Sequence, residues 1–315
     1  MKAVIFNRYG AAAELQYTTI EQPQIQPDQM LIKVYATSVN PVDWKIRKGM
    51  LKLVTGNRFP QTLGFDVSGE VVKLGDRVRL FQLGDAVYAR LNQLPGTAYA
   101  EYVAVSESVA AAKPKNMTHT EAAAVPLAAL TALQALRNQG QLQANQQVLI
   151  NGASGGVGTY AVQIAKALDA EVTAVCSSKN VELVQSLGSD RVIDYTQQDI
   201  TQDSSQYDVI FDAVGKQSFS ACKPLLKPNG IYVTTLPTPE LFLQIGLTSF
   251  LPGKKAKFIL VQSSGSDLDY LKDLIETGKV RSVIDRTFPL AEAAAAHTYS
   301  ESDRTSGKIV LTVSH

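Results

Sequence analysis

The stretch Gln147–Gly158, QVLINGASGGVG, constrains the chain more than any other. Val148-Leu149-Ile150 is an apolar run of buried-strand length. It breaks into Ala153-Ser154-Gly155-Gly156-Val157-Gly158, after which Val157, Ala161, Val162, Ile164, Ala165 and Leu168 recur at helical spacing. Strand, glycine turn and helix in that order are the setting a phosphate-binding turn requires. Gly155 lets the backbone approach a pyrophosphate with no Cβ in the way, and Gly158 lets the helix pack tightly on the strand. The first helical turn then aims unpaired N–H groups and its positive dipole end at the phosphates. Ala153 stands where the usual pattern has its first glycine. Alone, the glycines describe a structural turn; with this strand and helix around them they describe a nucleotide site.

The second strand of such a unit ends near the adenosine ribose, where an Asp or Glu selects NAD. Here it ends Cys176-Ser177-Ser178-Lys179-Asn180, with no acid. A serine hydroxyl and a lysine suit a 2′-phosphate, so NADP(H) is the expected cofactor.

Up to about Pro114 the signals are strand and turn. Lys2–Phe6, Leu15–Ile20 and Met30–Val39 read as strands, and Pro41–Lys48 as a short helix with Pro41 at its first position. Gly64–Leu74, Asp76–Phe81, Asp85–Arg90 and Tyr99–Val105 follow as strands, suggesting a compact antiparallel barrel. Thr120–Leu136 is helical. From Gln147, strands at 148–151, 171–176, 191–194, 207–214, 230–235 and 257–262 alternate with helices, implying a parallel sheet covered on both faces. The tail from about Ser263 reverts to the first style, so a nucleotide domain is inserted into a β-rich one. The boundaries expected are 1–122 with 263–315 for the β-rich domain, and 123–262 for the nucleotide domain.

The 315 residues, 45% hydrophobic and 19% charged, are those of an ordinary globular protein. A net charge of +1 with no block of like charges argues against a nucleic-acid partner. Two cysteines make no disulfide framework, and no apolar run reaches membrane-spanning length. The first residues, MKAVIFNRYG, read directly as strand with no targeting segment ahead of them, so the cytoplasm is the expected location.

Missing residues narrow the chemistry. The three histidines, His119, His297 and His315, lie apart from each other and from the cysteines, so no zinc is expected. None of the twelve tyrosines has a lysine four residues later, which removes the acid–base pair of short-chain reductases. Hydride transfer helped by polar side chains remains.

Taken together, SVNPVDWKIRKG (38–49), LGFDVSGEVVKLG (63–75), LTALQAL (130–136), ASGGVG, SSKN, IDY (193–195), DAVG (212–215) and GKIVL (307–311) are specific. Over essentially its whole length the chain resembles the zinc-free medium-chain dehydrogenases/reductases, the quinone oxidoreductase-like and alkenal (enone) reductases. Within them it is most similar to the chloroplast-envelope quinone oxidoreductase homologue group. The resemblance implies an α/β fold, a Rossmann doubly wound parallel sheet inserted into a β-rich GroES-like domain. It also accounts for the missing metal. Zinc-dependent relatives carry a cysteine where this chain has Asn40, and Gly-His-Glu where it has Gly64-Phe65-Asp66.

The implied activity is NADPH-dependent reduction of the C=C bond of α,β-unsaturated carbonyls. Quinone reduction and a non-catalytic, crystallin-like NADPH-binding role are the alternatives. Carried over by residue, Ala153, Ser154, Gly155, Gly156, Val157 and Gly158 hold the pyrophosphate. Ser177, Ser178, Lys179, Asn180 and Tyr195 surround the 2′-phosphate and adenine. Thr131, Val214 and Leu236 line the nicotinamide side, and Lys308 in the returning tail completes the cofactor set. Lys45 is the candidate donor to the substrate oxygen, with Asn40 and Asp43 lining the same pocket. The apolar segment Leu236–Gly253 suits a hydrophobic substrate channel, a dimer contact or a loose membrane contact as well as simple packing. A homodimer and a small hydrophobic carbonyl or quinone substrate are the expected partners.

Overall fold

The computed structural model describes residues 1–302 and 304–315. Two compact units divide the chain: residues 1–130, 262–277 and 282–315 form one, and residues 131–261 with 278–281 the other.

The second unit is built on a six-stranded parallel sheet in the order 191–194, 171–176, 147–151, 207–212, 226–234, 255–258. Val148, Leu149 and Ile150 are all fully buried, as a central parallel strand demands. The chain leaves Gln147–Asn151 in one direction for two strands and in the other for three. With right-handed crossovers, that reversal sends the connecting helices to opposite faces and opens a crevice at the carboxyl ends of the strands. Helices at Gly156–Ala167, Val181–Ser186, Phe219–Cys222 and Pro239–Phe250 make the connections.

The first unit is β-rich and hangs on one 11-residue strand, Gln29–Val39. One edge of it pairs antiparallel with Asp66–Leu74. The other edge is shared, with Tyr102–Ser106 along residues 29–33 and Lys308–Thr312 along residues 36–39. The returning C-terminal segment is thereby built into the sheet of the N-terminal part. Ile284–Pro289 joins Lys308–Thr312 in parallel, with the helix Ala293–Ser300 as the connection a parallel pair needs. Met30, Ile32, Val34, Val67, Val87, Ile309 and Leu311 fill the core.

Three sequence-based expectations are corrected. Asp76–Phe81 is turn and coil: the Glu107 carboxylate takes the amide protons of Arg79 (2.8 Å) and Leu80 (2.9 Å), which a strand would have given to a neighbour. A strand absent from the reading forms at Ala110–Ala112 and pairs with Val87–Ala89. Alanine's weak strand preference hides it, and the pairing imposes it. The helix expected over 120–136 breaks into His119–Ala123, capped by Thr118 and Glu121, and Pro126–Leu133, because Pro126 has no N–H to continue the first.

Gly69 pairs with Val34 where the sheet bends, and a Cβ there would collide with the Lys33 carbonyl oxygen. Gly69→Ala should cost about 3 kcal/mol through overpacking, read as a lowered urea midpoint with an unchanged slope.

Candidate functional site

At the carboxyl end of Gln147–Asn151 the chain turns through Gly152, whose φ is +78°. The Ala153 amide donates to the Val175 carbonyl (3.0 Å), pinning the turn to the neighbouring strand. Gly155 is the N-cap of the helix Gly156–Ala167, and no side chain caps it. Its first-turn amides are therefore left for an outside acceptor. A Cβ on Gly158 would strike the Gly152 carbonyl and the Ala153 backbone, so Gly158 is required by packing. A Cβ on Gly155 would meet only the Gly152 oxygen, at 3.4 Å, an ordinary contact. Packing does not explain that glycine, whereas a phosphate drawn against the backbone does. These residues fit a dinucleotide.

The residues expected around the adenosine are tied to this turn. Asn180 Nδ2 donates to Ser154 Oγ (2.9 Å), and the Tyr195 amide donates to the Cys176 carbonyl (3.0 Å). Ser154, Ser177, Ser178, Asn180 and Tyr195 thus come together, with Lys179 and the Tyr195 ring exposed. One residue that the sequence reading did not single out joins them: Asp194, whose carboxylate accepts from Ser178 Oγ at 2.5 Å. It ends the third strand, directly beside Cys176 in the parallel register, whereas an acid was sought only at the end of the second.

On the other side of the turn stands Asp212, fully buried. One oxygen accepts from Asn151 Nδ2 (2.9 Å), Gly215 N (3.0 Å) and Val214 N (3.3 Å). The second accepts from Gln217 N (2.8 Å) and Tyr232 Oη (3.1 Å). A single carboxylate thereby shapes the loop 213–217 and ties it to the strand that feeds the glycine turn. Val214 packs over Gly152 and Leu236 over Gly215, and both apolar side chains are partly open at the strand ends. The DAVG motif carried this signal, since an acid just before a tight turn captures the turn's amides. Thr131 is buried on the helix Pro126–Leu133.

The β-rich unit buries a second polar cluster. Asp66 accepts from Ser38 Oγ (2.5 Å) and Asn40 Nδ2 (2.8 Å) on one oxygen, and from the Leu127 amide (2.7 Å) on the other. Lys308, 3% exposed, donates to Asn40 Oδ1 (2.6 Å) and lies 3.5 Å from Asp66. Burial lowers the Lys308 pKa, and Asp66 and Asp43 pull it back up. Its ammonium is engaged in an internal ion pair. Asp43 is 0% exposed. Its oxygens accept from the Asn40 amide (2.7 Å) and the Gly64 amide (3.2 Å), which caps the helix Pro41–Arg47. Asn40 is equally enclosed, at 2%. Lys45 is half-buried on that helix, its Nζ 5.6 Å from the Trp44 ring centroid.

Tyr99 Oη links Asp43 (3.3 Å) to His297 Nε2 (3.1 Å). Burial raises the Asp43 pKa to about 7 and lowers that of His297 to about 3. The two act oppositely on stability. The Asp43 contribution is present at low pH and lost as pH rises through 7. The His297 contribution is present above pH 6.5 and lost as pH falls toward 3, because the unfolded imidazole takes up a proton there. Between pH 7.5 and pH 5 the wild type should lose about 2 kcal/mol more than His297→Gln in urea unfolding.

A family model described as "Alcohol dehydrogenase GroES-like domain" matches residues 26–115, and one described as "Zinc-binding dehydrogenase" matches residues 187–311. The chain is 36% identical to the chloroplast envelope quinone oxidoreductase homolog of Arabidopsis thaliana, across 99% of this chain and 98% of that one. It is 38% identical to the chloroplastic NADPH-dependent alkenal/one oxidoreductase of the same plant, across 99% and 79%. The solved quinone oxidoreductase from Coxiella burnetii superposes with a TM-score of 0.92 at 34% identity, over 100% of this chain and 99% of that one.

Rossmann sheet, glycine turn and β-rich GroES-like unit define an oxidoreductase that works with a nicotinamide dinucleotide. The chain belongs to the medium-chain dehydrogenase/reductase superfamily, in its quinone oxidoreductase-like branch. The zinc in one family description does not fit the side chains at this bend. Asn40 and Phe65 offer no thiolate or imidazole there, and the Lys308 ammonium lies between Asn40 and Asp66, where it would repel a second cation. Among the described residues no group of three His, Cys, Asp or Glu side chains is placed to hold a metal.

Proposed function

We propose that this protein reduces the carbon–carbon double bond of α,β-unsaturated carbonyls with NADPH. The observation that carries the reading is the cluster of Ser177, Lys179, Asn180 and Tyr195 tied to the glycine turn, with no acid closing the second strand. A relative named for NADPH and alkenal/one substrates supports it. Bound NADPH would supply the hydride.

The chain's own residues do the rest. Amides at the start of Gly156–Ala167 hold the pyrophosphate, and Val214 and Leu236 present apolar surface that excludes water. Hydride addition to the β-carbon leaves negative charge on the carbonyl oxygen as an enolate; Lys45 is the donor proposed to meet it, and water or Lys45 itself supplies the proton that the α-carbon takes up to complete the reduction. One such donor is worth roughly 3 kcal/mol, by analogy with oxyanion holes. Asn40 and Asp43 act on the helix start that carries Lys45. Quinone reduction is the second reading, favoured by the quinone oxidoreductases among the relatives. A homodimer is also proposed: Phe242, Leu243, Leu247, Phe250 and Leu251 leave an apolar face of the helix Pro239–Phe250 exposed, next to the edge strand Lys255–Phe258.

The test is NADPH oxidation followed by absorbance with a short alkenal, a long-chain enone and a quinone in parallel. Turnover of the alkenal or enone is expected; turnover of quinone alone would transfer the assignment to the second reading. Lys45→Ala should lower kcat about 100-fold. Unchanged kcat and NADPH affinity in that variant would remove Lys45 from the mechanism.

A further inference from the structure

The carboxylate of Asp194 faces the same surface as Ser178 and Lys179. Four donors feed it. Ser178 Oγ (2.5 Å) and Gln197 Nε2 (3.0 Å) reach one oxygen, and Thr196 N (2.9 Å) and Thr196 Oγ1 (2.7 Å) reach the other. Those bonds, that of Ser178 foremost, hold its carboxyl below the usual range, so it is an anion at neutral pH.

Two physical consequences follow. A serine has one proton to give, and Ser178 gives it to Asp194. Any phosphate reaching Ser178 therefore meets lone pairs in place of a donor. A phosphate on Ser178 would also lie beside the Asp194 carboxylate, within a Debye length, so salt would screen their repulsion only in part. Ser177 is not engaged in this way: its Oγ only accepts a long contact from Asn180 (3.5 Å). Among the described residues, the turn therefore sets the Lys179 cation and the Ser177 hydroxyl against the Asp194 anion.

We propose that Asp194 determines dinucleotide specificity in this protein, holding the preference for a 2′-phosphate below what Ser177, Ser178 and Lys179 would otherwise give. The inference rests on the reading of this surface as the 2′-phosphate site. It makes cofactor choice here a balance between charges on two adjacent strand ends, in place of the single acid at the end of the second strand.

Binding tests it without turnover. Calorimetric Kd values would be measured for NADPH, NADH, adenosine 2′,5′-bisphosphate and 5′-AMP on the full chain. Asp194→Asn keeps an oxygen for the Thr196 amide while removing the charge. It should tighten NADPH and the bisphosphate about tenfold and leave NADH and 5′-AMP within about twofold. Lys179→Ala should shift the same ratios the opposite way. Ser178→Ala should cost more bisphosphate affinity in the Asp194→Asn background than in the wild type, because only there is the Ser178 proton released. An unchanged or weakened bisphosphate affinity in Asp194→Asn, with NADH binding intact, overturns the assignment of Asp194 alone. Equal wild-type affinities for the bisphosphate and 5′-AMP, together with no effect of Lys179→Ala, would overturn the 2′-phosphate site itself.

Discussion

The nucleotide unit depends on one place where backbone touches backbone. At Gly158 the helix Gly156–Ala167 lies against the Gly152 carbonyl and Ala153 with no room for a side chain. That approach fixes the angle at which the helix leaves the strand and so where its amides point. Gly155, three residues earlier, has room it does not need for packing. Two glycines in one short turn thus differ in kind: the second is demanded by the fold, the first is not, and the proposed pyrophosphate is what it would serve.

Around this contact the chain repeatedly uses a carboxylate at a strand end as a collector of donors. Asp212 gathers amides of its own loop, Asp194 gathers those of the turn after it, and Asp66 takes the amide that opens the helix Pro126–Leu133. Each replaces water on backbone groups that the parallel or antiparallel ladder leaves unpaired. Buried carboxylates are costly unless fully bonded, and Asp212 and Asp66 show the required completeness. The loops that border the proposed cofactor site are therefore held by electrostatics more than by apolar packing.

Much of this was legible in the sequence, for a physical reason. Strands 148–151 and 171–176 and the turn between them are written in local signals: apolar runs, glycines and helical spacing. So was the helix start at Pro41. Pairing-imposed features were not legible. Ala110–Ala112 is a strand only because Val87–Ala89 lies beside it, and Asp76–Phe81 is not one because Glu107, far along the chain, claims its amides. At the site, the glycine turn and the serine–lysine shelf were readable, whereas Asp194 became visible only once the parallel register set it next to Cys176. The internal partners of Lys308 and Asp43 were hidden for a related reason: Asn40 and Asp66 meet Lys308 only in the folded chain, and the Asp43 carboxylate turns back onto the Asn40 amide.

The Lys308 ammonium couples distant parts of the sequence. It lies between Asn40 and Asp66 at the bend that opens the helix Pro41–Arg47. A histidine placed at position 65 would leave this fixed positive charge in place, and loss of the lysine alone would leave buried Asp66 without its counter-ion. Positions 40, 66 and 308 therefore constrain one another although they are far apart in the sequence and joined only in the folded chain.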